Sequence, residues 1–498
     1  MFSATPIESA ASFSSIINTL LSIQSTVQEM RTRMCFDDVA WERSEAIQDA
    51  WVHELFKEET LMAIGKFILR HRKGVPVELC DPKAGSFNVS FRMKFEDGGS
   101  AIIRFPKPGA TMFPEEKVRN EVDMIRYIHQ HTTIPVPFIL HWGTKEENPL
   151  GLGPFIIMEY IDHVMDLSDV LNTPGFSIKD RPILDPEFDN TKLEMLYEQL
   201  ADILLQLSKL RLPRIGSLVQ IDDFTWEVAQ RPLSYSANEL VRLGTLPRSS
   251  LAKVKETFQS ASTYFNKLAD LHLEHLTHQR NDAVDSADDC RRRYLARLLF
   301  RKLAREGKFT TSSTNFGPFH IWCDDLRPSN VLINDNFQIV GVVDWEFTYS
   351  APMEFSHAPP WWLLLEQPEY WPDGIEAWTE VYESRLQTFL KVLRKQEEVA
   401  IDRGSLKVEQ RLSRPMQQSW ESGDFWVTYA ARKSFAFDAV FWKKLDGRFF
   451  GSAMSTENDR WKERIGLLTE EERENMENVV EKKLGEMGTR ILAWEPDE

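Results

Sequence analysis

Three oxygen-bearing side chains bracket two short apolar runs between Cys323 and Glu346, and this spacing constrains the chain more than any other part of its sequence. Asp325 and Asn330 enclose the polar segment Leu326-Arg327-Pro328-Ser329, and the apolar run Val331-Leu332-Ile333 follows. Asn334-Asp335-Asn336 then offers turn residues that tolerate left-handed backbone angles, and a second run, Gln338 to Val343, ends on Asp344. A hairpin of this layout brings Asp325, Asn330 and Asp344 to one end of a short antiparallel pair. Carboxylate and amide oxygens suit magnesium, which keeps several waters and takes the rest of its shell from phosphate oxygens. A carboxylate beside such an ion can orient an attacking hydroxyl. The set therefore fits phosphoryl transfer, a chemistry that asks for positioning and charge stabilisation rather than covalent help.

Upstream, the hydrophobic period changes twice. Residues 1 to about 70 read as helical, with Trp41, Ile47, Trp51, Leu55 and Phe56 near helical spacing, and are expected to pack on a later surface. From Gly85 the period becomes two: Phe91, Met93 and Phe95 alternate with Arg92 and Lys94, Asp97-Gly98-Gly99 turns, and Ala101, Ile103 and Phe105 alternate with Ile102 and Arg104. After Pro114, Val118, Glu121, Val122 and Ile125 fall on one helical face. Glu121 thus shares the face that packs on the sheet, where a lone carboxylate needs a cation, and Arg104 on the preceding strand is its natural partner. An apolar strand, Phe155 to Ile161, leads into the second half of the chain.

There, Leu193, Leu196, Leu200, Leu204 and Leu207 mark a buried helix, and about 230–310 is charged and helical without strand alternation. Helices return from 375, and Thr469 with Glu472 forms a capping box before a charged terminal helix. The division expected is an N-terminal helical extension over 1–70, a strand-rich lobe over 71–161 and a mainly helical lobe over 162–498. Within the last fall an insert at about 230–310, the loop and metal hairpin at 320–347 and C-terminal helices over 375–498.

Length and charge limit the partners. A chain of 498 residues suits a two-lobed enzyme. With 76 acidic against 59 basic residues its field repels nucleic acid and anionic membrane, and would suit an amine-bearing hydroxyl compound, although overall charge says little about a pocket. Cys35, Cys80, Cys290 and Cys323 are scattered, which fits a reducing compartment, and Met1 to Met30 lacks the pattern of a signal or transit peptide. No apolar run approaches the roughly 20 residues of a membrane span. A cytoplasmic protein is expected.

The segment Asp325-Leu326-Arg327-Pro328-Ser329-Asn330, with Val343-Asp344-Trp345-Glu346, resembles the catalytic core of the aminoglycoside phosphotransferase and choline kinase group. These are small-molecule kinases with a protein-kinase-like fold, and the resemblance runs from about Gly85 to Trp371, with the large tryptophan-rich form and its helical insert also similar. It implies an α+β, two-lobed fold with an antiparallel-sheet N-lobe, and transfer of the γ-phosphate of ATP to a small-molecule hydroxyl. Asp325 is implied as the base, and Asn330 and Asp344 as magnesium ligands. Glu159 and Ile161 would hold adenine through backbone groups, by the resemblance alone. Gly85 and Ser86 lie where a phosphate-covering loop should fall.

The chain departs from the family in two places. Cys323-Asp324 stands where the group usually has His-Gly, which leaves Asp324 to loop support or substrate charge, since only Asp325 keeps the five-residue interval to Asn330. Arg104 stands where kinases commonly hold a phosphate-binding lysine, and arginine can clamp phosphate oxygens with a different reach. Arg327 either stabilises the transferring phosphoryl group or pairs with a neighbouring acid. His320 reads as a packed or loop-orienting histidine and Glu346 as support for the metal corner. Trp361, Trp362, Trp420, Phe425, Trp426 and Tyr429 read mostly as core, with one wall of the acceptor pocket as the lesser reading. Two other functions fit less well: a nucleotide-binding pseudokinase whose helical additions recruit a partner, and a protein kinase, for which no Ala-Pro-Glu segment follows Asp344.

Overall fold

Alternation of period two between Asn88 and Pro106 folds as a hairpin at the centre of an antiparallel sheet. The computed structural model describes residues 31–176, 180–456 and 459–493. Residues 1–30, part of the expected N-terminal extension and the stretch read for targeting signals, lie outside the described residues, as do 494–498. The N-lobe sheet contains β1 (Pro76–Leu79), β2 (Lys83–Ala84), β3 (Asn88–Phe95), β4 (Ser100–Pro106), β5 (Ile139–Gly143) and β6 (Phe155–Glu159), in the order β1-β3-β4-β6-β5 with β2 paired to β3.

Helices cover both faces of this sheet. The helix α1 (Asp38–Leu55) is followed by α2 (Glu58–His71), whose Ile64, Phe67 and Ile68 pack on Phe91, Ile103, Phe105 and Ile157. On the opposite face, Val118 and Val122 of α3 (Pro114–His131) pack on Ile156 and Met158. Strand parity thus sends Ile103 and Phe105 toward α2 and turns Arg104 toward α3.

The larger lobe is built on one extensive apolar core. The long helix α4 (Asn190–Lys209) contributes the expected leucines Leu193, Leu196 and Leu200. A two-stranded ribbon, β9 (Ser217–Gln220) with β10 (Trp226–Gln230), precedes the insert, whose helices are α5 (Tyr235–Leu243), α6 (Ala261–His278) and α7 (Ala287–Arg305). Helix α7 is charged and helical as expected, and part of its charge is internal. Arg293 and Arg297 are buried and both reach Asp438, at 2.8 and 2.7 Å, while Arg293 also binds Asp289 at 2.7 Å. Burial is tolerated because each charge has an opposite one at hydrogen-bond distance.

The small sheets that carry the site follow. Strand β11 (Phe319–Cys323) lies between β14 (Thr348–Ala351) and β8 (Arg211–Leu212), and β12 (Val331–Ile333) pairs with β13 (Ile339–Val342) and β7 (Met165–Asp166). In the β12–β13 turn the left-handed residue is Phe337, with φ 59°, rather than an Asn or Asp. Asn334 acts through its side chain instead, with Oδ1 accepting from the backbone N–H of Asn336 and of Gln338 at 3.0 Å each. The terminal helix α8 (Glu470–Glu486) begins at Thr469 with the expected capping box. Among the described residues, no helix is long and apolar enough to cross a membrane.

Candidate active site

β11 and β14 are paired so that Cys323 lies opposite Thr348, which delivers Asp324 and Asp325 at the strand end. Asp324 is occupied by the scaffold. Its carboxylate accepts from Trp322 Nε1 at 2.7 Å and from the Tyr235 backbone N–H at 3.1 Å, with the Arg432 guanidinium 3.8 Å away. These contacts join the loop to the start of α5.

Asp325 is held from its own loop. Asn330 Nδ2 donates to the Asp325 carbonyl at 2.7 Å and to its Oδ2 at 3.1 Å, while Arg327 Nε stands 3.0 Å from Oδ1. Arg327 therefore pairs with a neighbouring acid, and that acid is Asp325 itself. Burial pushes the Asp325 carboxyl up to about 6, with Arg327 and the Asn330 hydrogen bond opposing the shift and the Asp344 and Glu346 charges adding to it.

Asp344 lies two residues past the end of β13, in a left-handed conformation with φ 61°. A non-glycine residue is uncommon there, and aspartate is one of the few that tolerate it. The turn separates its neighbours: Trp345 enters the core and donates Nε1 to the Val342 carbonyl at 3.0 Å, whereas the Asp344 side chain keeps 35% of its surface exposed. Cys323 Sγ lies 3.9 Å from the Asp344 carbonyl, so the residue at the first position of the usual His-Gly ties the loop to this turn.

Two ion pairs one helical turn apart on α3 complete the corner. Arg104 pairs with Glu121, as parity and helical spacing anticipate, and its Nη1 lies 2.5 Å from Asp344 Oδ1. Lys117, four residues before Glu121, lies 2.6 Å from Glu346 Oε2 and donates to Asn88 Oδ1 at 2.6 Å, while Asn88 Nδ2 donates back to Glu346 at 2.8 Å. Glu346 is 2% exposed and Lys117 1%. Burial alone would raise the Glu346 carboxyl; Lys117 and Arg104 outweigh it and hold the group below the usual range. Carboxylate oxygens of Glu121, Asp344 and Glu346 lie within 4.8 Å of one another.

A cavity of about 540 Å³ unites these groups. Gly85, Ser86, Arg104, Glu121, Glu159 and Ile161 line its N-lobe side, and Asp325, Arg327, Asn330 and Asp344 its other wall. Gly85 closes a tight turn, its N–H bonding the Asn88 carbonyl at 2.9 Å. The Glu159 N–H is engaged by the Phe138 carbonyl, and the Ile161 carbonyl accepts from His163 Nδ1 at 2.8 Å. Ile161 also lies against Gly341, where a Cβ would sit 2.7 Å from Ile161 Cδ1, so the glycine permits the link between lobes to approach the hairpin.

For a metal, the donors divide. Asn330 uses Nδ2 in both hydrogen bonds, leaving its carbonyl oxygen, and Arg104 engages only Oδ1 of Asp344, whereas Glu346 is enclosed by Lys117 and Asn88. An amide oxygen and one carboxylate oxygen on the same wall of the cavity suit a hard cation that retains water. His320 is buried, bonds Ser356 Oγ at 2.7 Å, and is pushed down to about 3 by burial and by the nearby His357 and Arg211 charges. Its place is structural. Lys117, Tyr235 and Lys433, which also shape the site, did not stand out in the sequence; only Lys117, at helical spacing from Glu121, had a local signal.

Residues 82–356, more than half of the chain, match the phosphotransferase enzyme family. Among curated proteins, altered inheritance of mitochondria protein 9, mitochondrial, of Debaryomyces hansenii is 24% identical over 312 residues, covering 55% of this chain and 48% of its own length. Clavilactone A biosynthesis cluster protein Y of Ampulloclitocybe clavipes is 23% identical over 294 residues, covering 57% and 63%. The chain thus spans about half the length of the first of these relatives. Among solved structures, an ethanolamine kinase of Plasmodium vivax aligns over 91% of this chain and 97% of its own, at 14% identity and a TM-score of 0.41.

Proposed function

Since the chain belongs to the phosphotransferase enzyme family, we propose that it transfers the γ-phosphate of ATP to a hydroxyl of a small molecule, with Asp325 as the base. The Glu159 carbonyl and Ile161 N–H would meet the nucleobase, and Gly85 and Ser86 would cover the phosphates. Arg104, fixed by Glu121, would clamp a phosphate oxygen. Asn330 and Asp344 would hold magnesium, which neutralises charge on the phosphates when bound.

In the transfer itself, the acceptor hydroxyl lies against the Asp325 carboxylate, which takes its proton as the oxygen bonds to the γ-phosphorus. The bond from that phosphorus to the bridging oxygen breaks, leaving ADP. Arg327, already beside Asp325, offers positive charge to the phosphoryl oxygens. Carrying this proposal is the convergence of Asp325, Asn330 and Asp344 on one cavity whose opposite wall presents Arg104. Four free cysteine thiols support a reducing compartment such as the cytoplasm.

The test is a small-molecule extract incubated with γ-labelled ATP and either the native protein or Asp325→Asn. A labelled product is expected with the native protein, formed about 10²–10⁴ times more slowly by the variant, the usual contribution of a positioned base. An unchanged rate would remove Asp325 from its role. Nucleotide binding with no labelled product in any extract would favour a pseudokinase.

A further inference from the structure

At the acceptor end of the cavity stands an ammonium that, among the described residues, no carboxylate pairs with directly. Lys433 follows the helix Asp424–Arg432, lines the same cavity as Asp325, and is half-buried. Its Nζ lies 5.5 Å from the ring centroid of Tyr235, 5.7 Å from Trp361 and 5.9 Å from Tyr429. Aromatic faces attract an ammonium but accept none of its three hydrogens as a carboxylate does.

The acids nearby are otherwise engaged. Asp324 accepts from Trp322 and Tyr235 and faces Arg432; Asp325 is held by Arg327 and Asn330; Glu369 accepts from the Tyr429 hydroxyl at 2.6 Å. Among the described residues, the Lys433 ammonium makes no ion pair or side-chain hydrogen bond, its backbone N–H alone bonding the Ala430 carbonyl. Burial, with the Arg432 charge, lowers its pKa against the more distant pull of Glu369, Asp324 and Asp325.

Given the phosphotransferase function above, we infer that the acceptor is an anion, a hydroxy acid whose carboxylate seats on Lys433 between the aromatic walls while its hydroxyl meets Asp325. Such a substrate would supply the direct ion pair that Lys433 lacks within a partly desolvated site, where a charge-assisted hydrogen bond is strongest. An amine-bearing acceptor would meet a like charge at the same place. The local arrangement thus opposes what the acidic balance of the whole chain suggests.

A small-molecule extract separated by ion exchange into anionic, neutral and cationic fractions, each incubated with the protein and γ-labelled ATP, tests the inference. Label is expected in the anionic fraction. With the acceptor of that fraction, Lys433→Met should raise the acceptor KM about 10- to 100-fold, the range for losing one hydrogen bond to a charged group, and leave the KM for ATP in place. Lys433→Arg should restore much of the affinity. Label confined to the cationic or neutral fraction, or an acceptor KM untouched by Lys433→Met, would overturn the acceptor class and leave the kinase function standing. No label in any fraction would overturn both.

Discussion

Replacing Lys117 with Met should destabilise the protein far more than the loss of a surface charge. At 2.6 Å, with an effective dielectric constant of about 20, the attraction between Lys117 and Glu346 is about 6 kcal/mol. Desolvation of two ions offsets several kcal/mol of it, so the pair contributes little net stability when intact. Removing only the lysine leaves Glu346 buried with Asn88 as its remaining close donor and two other carboxylates within 4.8 Å. The cost should be about 3–5 kcal/mol, as for other buried pairs broken on one side. Lys117→Met with Glu346→Leu should recover most of that loss, because both charges then leave the interior. Urea unfolding followed by tryptophan fluorescence, on the two single variants and the double, measures the coupling by a double-mutant cycle. A Lys117→Met protein within about 1 kcal/mol of native, or a double variant no more stable than the worse single one, would refute this account of the corner.

Two further outcomes follow from residues away from the site. His272 is buried against Phe300 and Phe437, and burial, with the neighbouring Arg297 charge, lowers its pKa to about 3. In the unfolded chain it binds a proton below about pH 6.5, so between those values unfolding takes up a proton and stability falls as the pH falls, by about 1.4 kcal/mol per unit. Over the 1.5 units from pH 6.5 to 5.0 the native protein should lose roughly 1–2 kcal/mol more than His272→Phe in urea titrations, and parallel losses would contradict the assignment. Gly109 has φ +78°, and a Cβ there would stand 2.4 Å from the Ser44 carbonyl of α1. Gly109→Ala should therefore cost about 1–3 kcal/mol, visible as a lowered thermal midpoint, whereas a native midpoint would mean that α1 does not rest on this loop.

What could be read from the sequence was whatever depends on near neighbours. The alternation through Ile103, Arg104 and Phe105 and the helical spacing of Val118, Glu121 and Val122 together placed Arg104 against Glu121, because each period is local and the two elements are consecutive. The interval from Asp325 to Asn330 and the hairpin leading to Asp344 were legible for the same reason. Longer-range partnerships were not. Asp438 lies 141 residues beyond Arg297, so nothing in α7 distinguished its buried arginines from solvated ones. Lys433 reaches the cavity from a helix end about ninety residues past the hairpin, and its aromatic walls come from three separate segments. The turn before β13 shows a subtler limit: Asn334 favours the turn through its side chain, and the unusual backbone angle falls on Phe337.

The segment before α1 enters the fold in the larger lobe. The Asp37 N–H bonds the Leu243 carbonyl and its carboxylate accepts from Asn281, whereas α2, a few turns later, lies on the N-lobe sheet. Arg231 adds a second tie by gripping Glu116 on α3 at 2.7 Å. The strand end at Glu159–Ile161 is consequently one of several ligatures between the halves, and a simple swing about it would strain the others. Opening of the cleft then falls to smaller movements, such as at the exposed Lys83–Ser86 rim, and cutting the chain near residue 57 should loosen its jaws without touching a single residue inside it.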